Sequence, residues 1–365
     1  MRSAKGSTSA PMGSVPITRD GKRPVPGTGR FSSNKRLPAR LSLGHKGGMR
    51  RLESANGQGH GMSETTRRSF LLGGACIAGS AILSHPRAAA AVPLGIQPGV
   101  QLWTVKDELA RDFEGTLRAL RRIGYRRIEA AGWQNRTPAA FRRAVVQAGL
   151  DPVSCHFSMG DLIADPETRL AEARDAGATW VVGSSPKPGR PMPEGLDWNR
   201  AVSKAMTLEA WHSNAEAMNR IGRRARDMGL RFAYHNHSAE FLAYQRKLGM
   251  DEIVRLTDPG LVSLELDIGW AAAAGYDPVE AITRYRDRIR LLHVKDIATD
   301  ERTPGRIAAN LTTVPVGRGT IDWPAVFAAA RRARIHSYFV EQEPPFTQPP
   351  LEALAQSYSY LEGLR

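Results

Sequence analysis

The chain has 365 residues, 41% of them hydrophobic, with a formal charge of +15 and two cysteines, Cys76 and Cys155. The charge invites a nucleic-acid partner, but it is unevenly placed: of the +15, residues 1–61 carry +10 and residues 62–91 carry +2, leaving +3 for residues 92–365. That remainder is ordinary for a globular domain, so no nucleic-acid surface is expected, and Cys155 alone among residues 92–365 excludes an internal disulfide there.

Residues 1–61 are rich in Gly, Ser, Pro, Lys and Arg and lack hydrophobic periodicity, which predicts a disordered basic leader. The leader need not belong to the natural product, because Met62 opens what reads as a complete export signal over residues 62–91. Arg67 and Arg68 are paired ahead of an apolar stretch from Phe70 to Leu83, and the small residues Ala88–Ala91 suit a signal peptidase. The pattern resembles a twin-arginine signal, which implies the twin-arginine export machinery as a partner and a periplasmic or secreted product. The apolar stretch is short for a membrane span, so no membrane association is expected once the signal is removed.

From residue 96 to 365 short β-rich runs alternate with helical stretches. The strand candidates are 99–105, 126–132, 152–159, 179–185, 231–237, 261–270, 289–296 and 336–343. Between them apolar residues recur at three- and four-residue spacing, as in "FEGTLRALRRIG", and Gly124, Gly149, Gly177 and Gly229 stand where helices should stop. "DPETRL" and "DPVEAI" begin helices with an Asp cap and a Pro in the first turn. Eight β-then-α units predict a single α/β domain, a (β/α)8 TIM barrel. A doubly wound sheet is the runner-up, but "WTVKDEL" has no glycine-rich phosphate turn after the first strand.

In such barrels chemistry sits at the carboxyl ends of the strands. There the third run ends in His156, the fifth in His235 and His237 with Glu240 beyond, and the sixth in Asp267. The seventh carries His293 and Lys295, and the eighth Glu341 and Glu343. Alternation puts His235 and His237 on one face, Glu265 with Asp267, and His293 with Lys295. Taken singly, a strand-end histidine is more often a hydrogen-bonded structural residue, and Asp267 before Ile-Gly could form a turn. Four successive strand ends giving His, Asp, His and Glu instead suit one divalent metal ion such as Mn²⁺, Zn²⁺, Mg²⁺ or Co²⁺. Such an ion would polarise a sugar carbonyl or hydroxyl and stabilise an enediolate-like intermediate.

The stretches "GVQLWTVKDEL", "IGYRRIEAAGW", "YHNHSAEF", "LDIGW", "LLHVKD", "VGRGTIDW" and "FVEQE", in this order, resemble exported members of the sugar phosphate isomerase/epimerase superfamily, the xylose isomerase-like barrels. The resemblance implies a metal held by Asp267, His293 and Glu341, with the fourth ligand at His235, where many members have Glu. It leaves open whether His235 or Glu240 fills that place. It also implies Glu341, Glu240 and Lys295 as catalytic groups, and His156, His237, Glu129, Trp103 and Trp270 as contacts to a small carbohydrate. The leading expectation is a metal-dependent sugar isomerase or epimerase, with a homo-oligomer as a candidate assembly. Because a second strand-end glutamate is missing, the alternative is a keto-sugar or inosose lyase, or a keto-glycoside hydrolase. An endonuclease-IV-like phosphodiesterase and a non-catalytic carbohydrate-binding barrel rank lower. Export favours a free or oxidised sugar over a phosphorylated one, and "VGRGT" is the only phosphate-loop candidate, equally readable as a turn.

Overall fold

The computed structural model describes residues 92–299, 302–309 and 311–364. The leader and signal expected over residues 1–91 lie outside the described residues. The barrel strands are β1 (Gly99–Gln101), β2 (Arg127–Ala130), β3 (Asp151–Ser158) and β4 (Trp180–Ser184). They continue as β5 (Arg231–His235), β6 (Val262–Asp267), β7 (Ile289–Val294) and β8 (Ser337–Val340). All neighbours pair in parallel, and β1 closes on β8 through Gly99 opposite Phe339 and Val100 opposite Val340. The expected barrel is therefore the observed fold.

Local chemistry explains where the elements begin and end. Asp165 and Asp277 cap their helices as expected, accepting from Thr168 N and from Val279 N and Glu280 N, each followed by a proline. Gly149, Gly177 and Gly229 stop helices at φ of +76°, +82° and +78°, a region that disfavours side chains bearing Cβ. Several expected strands are shorter than their apolar runs. β1 ends at Gln101 because its side chain accepts from Trp103 N and turns residues 102–105 into a 3₁₀ helix. β6 ends at Asp267, which caps the helix Ile268–Ala273 by accepting from Trp270 N, so Trp270 is helical rather than extended.

Two apolar layers hold the barrel. Most buried side chains lie in one large cluster that includes residues of both strands and helices, such as Leu117, Phe141, Trp211 and Trp323. A small cluster of Val153, Trp180, Val182, Ala233, Leu291 and Phe339 comes from the strands alone and plugs the barrel interior. Gly99 makes room for that plug, since a Cβ there would stand 2.5 Å from Phe339 Cδ1. Toward the carboxyl ends the interior changes from apolar to polar. Among the described residues, no helix is long and apolar enough to cross a membrane.

Candidate active site

The polar layer is assembled from almost every strand. Asp267 and Glu265 lie on β6, His293 on β7, His235 at the last residue of β5 and His156 on β3. Glu341 follows β8, and Lys295 follows β7. His293 is central. Its Nδ1 lies 2.8 Å from Glu341 Oε2 and 3.6 Å from Asp267 Oδ2. Its Nε2 lies 2.7 Å from Glu129 Oε1 and 3.3 Å from Glu265 Oε2. His235 spans the same boundary, with Nδ1 3.3 Å from Glu265 Oε2 and Nε2 4.0 Å from Asp267 Oδ2. His156 Nε2 sits 2.8 Å from Glu265 and 3.1 Å from Glu129. Lys295 Nζ contacts Asp267 at 3.1 Å, Glu341 at 3.0 Å and Glu343 at 2.5 Å.

Apart from the half-buried His156 and Glu343 these groups are buried, so their charges are held by one another rather than by water. Burial alone would raise the Asp267 and Glu341 carboxyls, but Lys295 and His293 hold both below the usual range. Burial opposes the charge on Lys295 and His293 too, and the surrounding carboxylates raise both. His235 is pushed down to about 4, chiefly by burial and then by His293, and is a neutral imidazole at pH 7. Glu265 Oε1 and His235 Nδ1 are buried without a hydrogen bond, and Asp267 Oδ2 has only its ion pair with Lys295. Two groups of donor atoms lie within 4.8 Å of one another: Asp267, His293 and Glu341, and His156, His235, Glu265 and His293. Orphaned acceptors beside imidazole and carboxylate donors fit a divalent cation.

The profile of the xylose isomerase-like TIM barrels matches residues 117–364. The chain belongs to that family. Relatives of this xylose isomerase-like barrel include the inosose dehydratase of Geobacillus kaustophilus, 28% identical over 62% of this chain and 79% of that protein. Another is the inosose dehydratase of Geobacillus thermodenitrificans, 28% identical over 71% of this chain and 92% of that protein. Among solved structures, a sugar phosphate isomerase/epimerase from Parabacteroides distasonis superposes with a TM-score of 0.58 at 22% identity, covering 73% of this chain and 93% of that one. The IOLI protein with a bound zinc atom superposes with a TM-score of 0.54 at 15% identity, covering 72% of this chain and 96% of that one. At these identities the two structures establish likeness of fold.

The barrel brings together His235, Asp267, His293, Glu341, Lys295 and His156, but not Glu240. Glu240 is turned away: its Oε1 accepts from Tyr234 OH at 2.5 Å and its Oε2 from His237 N at 2.9 Å. Of the residues expected at the substrate, His156, His237, Trp103 and Trp270 line one cavity of about 520 Å³, open above the cluster. Glu129 does not. It is fully buried, and its carboxylate accepts from Gln101 Nε2 at 2.7 Å and Ser154 Oγ at 2.5 Å. Sequence reasoning put Glu265 on the face of Asp267 but left it out of the site, although that shared face was the available signal. It also passed over Trp198, which lines the cavity and packs on His237 with ring centroids 4.6 Å apart. Trp198 opens the helix Trp198–Ala205 after β4, where no strand-end rule reaches.

The "VGRGT" loop holds an internal anion. The buried Asp296 carboxylate accepts from Gly317 N at 2.9 Å, Gly319 N at 3.1 Å and Trp323 Nε1 at 2.9 Å. The amides that suggested a phosphate cradle are thus filled by the chain's own side chain.

Proposed function

We propose that this barrel is a metal-dependent lyase that removes water from a keto-inositol or keto-sugar, rather than an isomerase of sugars. One observation carries the reading: β5 delivers the imidazole of His235 to the cluster, while Glu240, the carboxylate nearest in sequence, bonds to Tyr234. The paired strand-five and strand-eight glutamates of the epimerase pattern are therefore missing. Elimination does not need them. It requires one base at the carbon next to the carbonyl and one acid at the leaving oxygen. The inosose dehydratase relatives support the same reading.

Asp267, His293, Glu341 and His235 would hold the ion, which when bound supplies Lewis acidity to the substrate carbonyl oxygen. Glu341 borders the cavity and is kept ionised by Lys295, so it takes the proton α to the carbonyl. Glu343 lines the same cavity and gives the leaving hydroxyl the proton that makes it water. The C–H and C–O bonds break, a C=C bond forms and one water leaves. Trp103 and Trp198, 44% and 38% exposed at the cavity, offer ring faces to the sugar.

The test is a panel of keto-inositols and keto-sugars followed by NMR in D₂O. Loss of water with a vinylic product is expected, and Glu341→Gln should slow it by about 10²–10⁴-fold. Solvent deuterium entering a ring that keeps all its hydroxyls, with an epimer formed, would restore the isomerase reading. We infer also that the protein works outside the cytoplasm, because Arg67 and Arg68 precede an apolar run and small residues. A reporter fused behind residues 62–91 should be exported, and Arg67→Lys with Arg68→Lys should stop it.

A further inference from the structure

The deeper carboxylates of the cluster call for a role, since Glu129 and Glu265 are fully buried and neither borders the cavity. We propose that Glu129 is a positioning residue that fixes the tautomer and ring plane of His293, so that His293 presents the lone pair of Nδ1 to the metal. The proposal rests on His293 being a ligand, as the proposed function has it.

Both ring nitrogens of His293 meet a carboxylate, Nε2 that of Glu129 at 2.7 Å and Nδ1 that of Glu341 at 2.8 Å. Glu341 belongs to the donor group that would share an ion with Nδ1, whereas Glu129 lies outside it, so Nε2 is the nitrogen left to donate, to Glu129, when an ion is held. Nδ1 then turns its lone pair toward Asp267 and Glu341, the other two members of the donor group. Glu129 is itself immobilised. Gln101 donates to Oε1 and Ser154 to Oε2, from the strands on either side of β2. A carboxylate held at both oxygens sets the ring more firmly than a free one could.

A looser contact stands on the other side of the cluster, where His235 Nδ1 makes no hydrogen bond. Glu265 Oε2 faces His235 Nδ1 at 3.3 Å, leaving His235 Nε2 toward Asp267. His156 Nε2 stands between Glu129 and Glu265, at 3.1 Å and 2.8 Å, and ties the two carboxylates together. The layer thus holds one hydrogen-bonded carboxylate–imidazole pair, Glu129 with His293, and one looser pair, Glu265 with His235, and the negative charge absent from β5 stands one residue layer deeper.

The test uses the full chain and Glu129→Gln, which keeps the shape and removes the charge. Zn²⁺ affinity, measured by chelator competition, should fall about 10–100-fold, the effect typical of losing such a partner. In a His293→Ala background the same change should have no further effect on affinity. Independently of any metal, NMR of chelator-treated protein should show a downfield Nε2–H resonance for His293 that moves upfield in Glu129→Gln. Unchanged affinity in Glu129→Gln, or an equal loss in the His293→Ala background, would overturn the proposal. So would two Zn²⁺ ions per chain with one lost in Glu129→Gln, which would make Glu129 a ligand of a second ion. If the untreated chain binds no Zn²⁺ yet keeps the Nε2–H resonance, the metal reading fails while the assigned proton stands.

Discussion

His235 and Glu240 lie on one short segment, yet their side chains serve different parts of the molecule. His235 ends β5 pointing into the barrel, whereas Glu240 sits on the 3₁₀ turn Ala239–Phe241 and folds back onto Tyr234, whose side chain points out of the barrel. Burial of Glu240 outweighs its hydrogen bonds and raises its carboxyl to about 7. An unfolded glutamate titrates near 4.3, so this group's contribution to stability is full below that pH and is lost as pH rises through about 7. Glu240→Gln should therefore gain melting temperature relative to the natural chain as pH climbs from about 4.3 to 7. Parallel melting curves across that range would refute it. Metal content separates the two residues further. His235→Ala should weaken Zn²⁺ binding by more than the ~10–100-fold typical of an outer partner, and Glu240→Ala should leave it unchanged. A loss in Glu240→Ala comparable with that in His235→Ala would return Glu240 to the ligand set.

At the level of elements, the end of β7 shows how a buried anion can organise a loop. Asp296 begins a two-stranded antiparallel ribbon, Asp296–Ala298 with Thr312–Val314, and gathers the amides of residues 317 and 319. Gly319 is required there because a Cβ would lie 2.1 Å from Asp296 Oδ1. Each buried donor left without its acceptor costs about 1–3 kcal/mol. Asp296→Ala, which strands Gly317 N, Gly319 N and Trp323 Nε1, is expected to lower stability by several times that amount in a denaturant titration. A loss under about 1 kcal/mol would show that the loop does not depend on the carboxylate. In the barrel itself, Gly99→Ala should cost about 1–3 kcal/mol by overpacking Phe339.

For the whole molecule the distribution of charge matters more than its total. Residues 92–365 carry +3 of the +15, and the closed barrel lies within them. A chain beginning at Val92 should therefore keep the melting temperature and Zn²⁺ content of the full chain; loss of either would mean that the barrel depends on residues 1–91.

The order of strands and helices was legible in the sequence because it rests on local rules: apolar periodicity, Asp caps before Pro, and glycines at helix ends. Strand-end histidines and carboxylates were legible for the same reason, since alternation decides which residues share a face. Strand lengths were less so, because Gln101 and Asp267 end their strands through side-chain hydrogen bonds that an apolar run does not reveal. The roles of Glu129, Glu240, Glu265 and Asp296 required the tertiary structure. All four are carboxylates at or near strand ends, and nothing in their immediate neighbours distinguishes them. What distinguishes them is the partner that closure brings within hydrogen-bonding reach: His293 for Glu129, Tyr234 for Glu240, His156 for Glu265, and a ring of amides for Asp296. A buried charge takes its function from the group that neutralises it, and three of those partners lie on elements distant in the chain.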